Sequence, residues 1–317
     1  MSSRENNETL SGSTGLSKSS PKNIAASVRQ KLLNKSRLDK RPFNELLQYY
    51  AMERFLYRLS QSSYADNFIL KGALMLRAWK ISIDRPTMDI DMLGKTSNDI
   101  DQLIKQFHDI CSVAVESDGL VFDLDSFKAE RITEDADYEG VRIRFVCNLE
   151  TAIVNMQIDI GFGDIIYPEA RKAVFPTILD FPAPEIICYS LESTIAEKFE
   201  AMIMLGELNS RMKDFYDIWF LSRQFNFEGD TLLEAIDRTL KNRETEIPEE
   251  ITPFTDQFIH SKETQWKAFC HKLDIDTLPD DFNEIMLMIK TFLEPIVRAL
   301  KSKSSFSTKW TAPGPWK

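Results

Sequence analysis

The sequence predicts an α+β fold: N-terminal helices, a core built on a mixed sheet, and a C-terminal helical lobe. Three observations predict it. Residues 121–132, 141–149 and 152–164 alternate apolar and polar side chains, as strands with one buried face do. Residues 23–61 and 98–116 instead repeat their apolar residues at helical spacing. After Pro184 the alternation stops and helical periodicity takes over.

Taken in order, residues 1–22 are rich in Ser, Asn and Gly, and a disordered tail is expected there. From Asn23 to about Asp39 a basic amphipathic helix is expected, with Ile24, Val28, Leu32 and Leu33 on one face. Arg41-Pro42 breaks it, and a second helix over 43–61 carries Phe43, Leu46, Leu47, Tyr50, Phe55 and Leu59. FILKG (68–72) reads as a short strand ending in Gly, ALMLRAWK (73–80) as a helix, and RPTMDIDMLGK (85–95) as the next strand. The helix of 98–116 and the three alternating strands follow. Helices are then expected over 190–205, 211–225, 230–242, 262–272 and 280–301. These readings divide the chain into the tail, a unit of N-terminal helices and α/β core over 23–185, and a helical lobe over 186–317.

Composition narrows the function. With 43% hydrophobic and 28% charged residues, the chain is ordinary for a globular protein. It lacks the roughly 18-residue apolar run a membrane span needs. Residues 1–20 lack the apolar centre of a secretory signal, so a cytoplasmic location is expected. Cys111, Cys147, Cys188 and Cys270 are far apart and read as buried thiols. Three His disfavour a His-rich zinc site or a His-dependent triad. The net charge is −10, but residues 1–50 hold nine Lys/Arg against four Asp/Glu, a net of +5 that leaves −15 on the other 267 residues. An acidic body with a basic segment can still engage RNA locally.

The chemistry centres on Met88-Asp89-Ile90-Asp91-Met92. On a strand, residues two apart share a face, so Asp89 and Asp91 point one way while Met88, Ile90 and Met92 point into a core. Two such carboxylates repel unless a divalent cation, an Arg or Lys, or solvent lies between them. Arg85 and Thr87 share their parity and extend one polar face. Upstream, Lys71-Gly72-Ala73 sits where a strand gives way to a helix, a turn whose backbone N–H groups can meet phosphate. Downstream, Ile158-Asp159-Ile160 sets a third acid in an apolar strand. Three carboxylates on neighbouring strands can hold two Mg²⁺ ions for phosphoryl or nucleotidyl transfer, and the absence of nearby His or Cys fits that hard metal.

The order Leu70-Lys71-Gly72-Ala73, then Asp89-Ile90-Asp91, then Ile158-Asp159-Ile160 resembles the DNA polymerase β-like nucleotidyltransferase superfamily. Ala73 stands where that pattern has a second Gly or Ser, and the spacer 74–88 is long. A closer resemblance covers residues 24–235. FILKGALMLRAW, RPTMDIDMLG, MQIDIGFGD, AEKFEAMIMLG and RMKDFYDIWFL look like the AbiEii/AbiGii toxin family of type IV toxin–antitoxin and abortive-infection systems. That resemblance implies a polymerase β-like core acting as an Mg²⁺-dependent (Mn²⁺ possible) nucleotidyltransferase. An NTP would be the substrate, and a tRNA 3′ end or another RNA the acceptor. A cognate winged-helix antitoxin of the AbiEi type would be a partner. It implies metal binding by Asp89 and Asp91 with Asp159 as third ligand, a catalytic part for Lys198 and Asp214, and nucleotide contacts from Lys198, Arg211 and Asp217. The residues themselves add the turn Lys71, Gly72 and Ala73 and the polar face of Arg85 and Thr87 as nucleotide contacts, though Arg85 could instead be a neutral strand-edge residue. Asp159 could alternatively serve as base.

Local patterns allow plainer readings beside these. Lys198 could pair with Glu197 or Glu200 on its own helix, and Arg211 could pair with Asp214. A protein hydroxyl could replace RNA as acceptor. A glycosyltransferase of the Asp-x-Asp type and a non-catalytic binding module are the rivals from other classes.

Overall fold

A computed structural model describes residues 23–79, 87–133, 139–273 and 278–317. The tail expected over 1–22 and the candidate residue Arg85 lie outside them.

Asn23 caps the first helix, its side chain accepting from the Ala26 amide at 3.0 Å, and α1 runs over Ile24–Asp39. Lys40 ends it in the left-handed conformation, φ 53°. Pro42 opens α2, Phe43–Gln61, which is buried almost all round. A helix enclosed on every side must satisfy its polar groups internally. Gln48 donates to the carbonyls of Met88 and Asn155, and Glu53 meets Arg54 and the Ile178 amide. Arg58 grips Asp118 through two hydrogen bonds of 2.6 and 3.1 Å.

The helices pack against a seven-stranded mixed sheet. Its strands are β1 (Phe68–Lys71), β2 (Ile90–Gly94), β3 (Leu120–Thr133), β4 (Glu139–Leu149), β5 (Ala152–Phe162), β6 (Arg171–Val174) and β7 (Glu185–Cys188). Their order is β3-β4-β5-β2-β1-β7-β6. β3, β4 and β5 form an antiparallel meander, β5 pairs parallel with β2, and β2 pairs antiparallel with β1. α3 (Gly72–Ala78) leaves β1 directly, and α4 (Ile100–Cys111) packs beside β3. The helix expected over 98–116 starts at Ile100, where Asp99 supplies the N-cap, and stops at Cys111, where Ser112 is the C-cap and donates its amide to the His108 carbonyl. β6 and β7 were not foreseen. Each is four residues long, and β7 joins the sheet through a single parallel register pair with β1, Leu70 with Cys188.

Beyond the sheet lie α5 (Leu191–Leu205), α6 (Met212–Gln224), α7 (Gly229–Asn242), α8 (Asp256–Leu273) and α9 (Phe282–Ser302). α8 begins at Asp256, six residues before the expected start. Two-residue strands β8 (Phe227–Glu228) and β9 (Lys309–Trp310) pair and bring the chain end back onto α9. There Trp310 is fully buried, stacks edge-on against Phe292 and donates its indole N–H to the Ser222 carbonyl. All four cysteines are free and buried. Among the described residues, no helix is long and apolar enough to cross a membrane.

Asp118 binds α2 to the start of β3: its carboxylate takes Arg58 and the Leu120 amide, and its carbonyl takes the Tyr50 hydroxyl. Removing one member of a buried pair leaves an uncompensated charge. Asp118→Ala is therefore expected to lower unfolding stability by about 3–5 kcal/mol in urea titrations.

Candidate active site

β1 ends at Lys71, and Gly72 turns the chain into α3 at φ +70°. A Cβ on Gly72 would lie 2.0 Å from Asp91 Oδ2, so both the backbone angle and the close approach require glycine. β2 carries Asp91 opposite Lys71 on one side and Asp159 of β5 on the other. Asp89 precedes β2, and Thr87 donates its hydroxyl to Asp89 Oδ1 at 2.7 Å. Oxygen atoms of Asp89, Asp91 and Asp159 all lie within 4.8 Å of one another. The acids therefore converge beside Gly72. Ile90 and Met92 are fully buried, as their parity requires, but Met88 is 50% exposed. The pleat begins only at Ile90, so the alternation does not extend back to Met88.

The third acid has a cation of its own. Arg142 of β4 lies opposite Asp159 and forks onto both carboxylate oxygens at 2.7 Å, and Gln157 adds a hydrogen bond at 3.3 Å. The hydrogen bond to Asp159 raises the Arg142 pKa above its ordinary value. Part of the repulsion among the three acids is thus relieved by a guanidinium fixed on the next strand.

Across a cleft of about 510 Å³, α5 and α6 supply the opposite wall. Lys198 of α5 places its ammonium 2.7 Å from Asp214 and 2.8 Å from Asp217, both on α6. Arg211 contributes a second cation to Asp214 at 2.8 Å, the local pair its spacing allowed. Burial disfavours charge on Lys198 and on Asp214, yet the ion pairs prevail: the lysine pKa is raised and the Asp214 pKa lowered. Lys198 is therefore a charged group with a fixed position, and its partners are not the helix neighbours Glu197 or Glu200.

Gly72, Ala73, Asp89, Asp91, Asp159 and Lys198 line this cleft, as do Lys71, Arg211, Asp214 and Asp217. Thr87 is buried behind Asp89 and does not line it.

The description "Nucleotidyl transferase AbiEii toxin, Type IV TA system" matches residues 54–287, nearly three quarters of the chain. The chain belongs to the AbiEii toxin family. No curated protein matches it. Among solved structures, a nucleotidyltransferase candidate from H. pylori aligns at 15% identity and a TM-score of 0.46, over 82% of this chain and 98% of its own. JHP933 from Helicobacter pylori aligns at 15% identity and a TM-score of 0.45, over 82% and 94%.

The AbiEii cleft has a floor that sequence reasoning missed. Lys71 reaches Asp164 at 3.2 Å, and Arg243, just beyond α7, binds Asp164 and Glu200 at 2.8 Å each. Glu197 accepts from the Tyr189 hydroxyl and lies 3.9 Å from both Lys71 and Arg243. Burial works against the Asp164 charge, but Lys71 and Arg243 outweigh it and lower its pKa; for Glu197, burial prevails and raises the pKa. Asp164 had a signal, since it closes the MQIDIGFGD stretch. Arg142 had one too, in its alternation with Val141 and Ile143. Arg243 had none, because it lies in a polar turn far along the chain.

A carboxylate whose pKa is lowered on folding stabilises the fold above its unfolded pKa, near 3.9, and loses that contribution as pH falls through the lower folded value. Asp214→Asn should cost about 3 kcal/mol in unfolding free energy at pH 7. The gap to wild type should narrow below about pH 4, as urea titrations across pH would show. A gap that widens in acid would contradict the ion-pair account.

Proposed function

We propose that this AbiEii-family toxin transfers a nucleotide from an NTP to an acceptor hydroxyl on RNA, with the tRNA 3′ end as the target. One observation carries the reading: a wall of three convergent carboxylates faces a wall of fixed cations across one cleft. A triphosphate bound as a metal complex needs both. The donors are all hard carboxylate oxygens, and among the described residues neither His nor Cys lines the cleft, which suits Mg²⁺ or Mn²⁺ over a softer ion. Asp89, Asp91 and Asp159 would hold the cation, which when bound would neutralise charge on the phosphates undergoing transfer.

The chain's own groups do the rest. Lys198 presents a charged ammonium to phosphate. Asp214 and Asp217 are almost wholly buried and act through the cations they hold, positioning Lys198 and, for Asp214, Arg211. Lys213 adds positive charge to the same wall. Arg142 fixes the Asp159 carboxylate as an oriented oxygen donor, which favours the ligand role over that of base. Gly72 lets the β1–α3 turn approach Asp91, so its backbone lies where phosphate would sit. Membership of a type IV toxin–antitoxin family supports a cognate antitoxin as partner; a winged-helix protein in that role, a cytoplasmic setting and a part in phage defence complete the proposal.

The direct test supplies each labelled NTP in turn with Mg²⁺ and total cellular RNA. Label on tRNA is expected; label on protein would move the acceptor, and no label with any NTP would overturn the transferase reading. Asp91→Ala should abolish labelling, a loss of about 10³-fold or more, while the protein stays folded, because the substitution also relieves repulsion among the acids. A folded Asp91→Ala protein that labels RNA at the wild-type rate would refute the role of the carboxylates.

Lys198→Met, assayed on protein shown to be folded by circular dichroism, should lower kcat/KM for the NTP by about 10- to 100-fold, the worth of one charged hydrogen bond. A purely structural ion pair with Asp214 and Asp217 would change stability and leave kcat/KM alone.

A further inference from the structure

The row of side chains next to the acids leads out of the cleft. Along the open face of β5, Asp159 is followed by Gln157, Asn155 and Ile153, spaced two apart over about 20 Å. Gln157 lies opposite Arg144 of β4, and Arg144 lies opposite Lys128 of β3. Gln157, Asn155, Arg144 and Lys128 line a second groove, of about 470 Å³, which meets the first at Asp89 and is bordered by the exposed Met88. Arg144 is half exposed and spans Glu130 at 2.6 Å and Gln157 at 3.1 Å. Its guanidinium has five N–H donors, more than those two contacts use. Lys128 and Asn155 are exposed.

We infer that this face of β3, β4 and β5 is the track on which a single-stranded RNA acceptor lies as its 3′ hydroxyl enters the cleft. The inference rests on the transferase reading above and assigns the acceptor's binding surface. Charge selects the occupant. Residues 51–317 carry a net −15, a body that repels polyanions, yet Lys128 and Arg144 project from this face in line with the catalytic acids. The amides of Gln157 and Asn155 offer donors and acceptors to base edges, and Met88 gives an apolar surface for a base. An open sheet face with this mixture is how unstacked single strands are held. The position also suits the chemistry: the cation wall on α5 and α6 takes the triphosphate, so the acceptor approaches from the opposite, β5 side.

The test measures binding of fluorescein-labelled single-stranded RNA by anisotropy across a salt series, beside the KM for RNA and for NTP in the labelling assay. The variants are K128E/R144E, the milder K128Q/R144Q, and, as control, Lys267→Glu on α8, an exposed residue that lines neither groove. K128E/R144E should weaken RNA binding at least 10-fold and flatten the salt slope by about 1.4, the value for two lost phosphate contacts on a single strand. K128Q/R144Q should fall between it and wild type, the KM for NTP should stay put, and Lys267→Glu should match wild type. Unchanged RNA binding and RNA KM in both double variants would overturn the track and leave the transferase reading standing. RNA binding that falls as expected in the variants while the wild-type protein labels nothing with any NTP would overturn the transferase reading and the acceptor role with it, leaving only an RNA-binding surface. A wild-type protein that binds no RNA and labels only protein would overturn the track.

Discussion

The site depends on one line of register across five strands. Lys71 of β1 lies opposite Asp91 of β2, Asp91 opposite Asp159 of β5, Asp159 opposite Arg142 of β4, and Arg142 opposite Glu130 of β3. Residues directly opposite in a sheet share a face, so backbone pairing alone sets these side chains side by side. A slip of one residue in any strand would turn its member of the row into the core and bring an apolar neighbour out. The apolar neighbours prevent the slip. Ile90, Met92, Ile158, Ile160, Val141 and Ile143 are fully buried on the opposite face, and their burial fixes the register that aligns the charges. A hydrophobic constraint thereby secures an electrostatic arrangement that would resist assembly by itself.

That arrangement is balanced by cations held to different degrees. Arg142 answers Asp159 within the sheet, and Lys71 is drawn below the row by Asp164. Lys198 comes from the helical side, between two buried aspartates. The acids of α6 thus do for Lys198 what Arg142 does for Asp159: each fixes a charged group that could otherwise swing into solvent. The Arg243, Asp164, Glu197 and Glu200 cluster then ties α5 to the end of β5. Sheet wall and helix wall consequently keep a set separation, as the proposed binding of a metal–triphosphate complex requires.

Much of this was legible in the chain. Period-two alternation located β3, β4 and β5, and helical spacing located α1, α2 and α5, because one buried face imprints its period on the sequence. Parity placed Asp89 and Asp91 on one side, and the order of Gly72, the paired acids and Asp159 pointed to their convergence. The reading weakened where elements are short or polar. β7 has four residues and no alternation to show, so only its pairing with β1 makes it a strand. α8 begins with the polar Asp256, and Met88 lies one step before the pleat that would have turned it inward.

The sequence by itself determined the periodicities, the spacing of the three acids and the glycine that lets one of them approach the backbone, because each depends on residues a few positions apart. It also carried enough of the AbiEii pattern to name the family. Only the tertiary structure decided which cation answers which acid. Lys198 had two glutamates within reach on its own helix, yet it pairs 16 and 19 residues away, because packing of α5 on α6 presents two buried carboxylates that need a cation, while Glu197 is taken by Tyr189 and Glu200 by Arg243 and Thr245. Arg243 meets Asp164 across 79 residues for the same reason. Desolvation makes such pairings compulsory, and desolvation is a property of the packed molecule that no local stretch of sequence records.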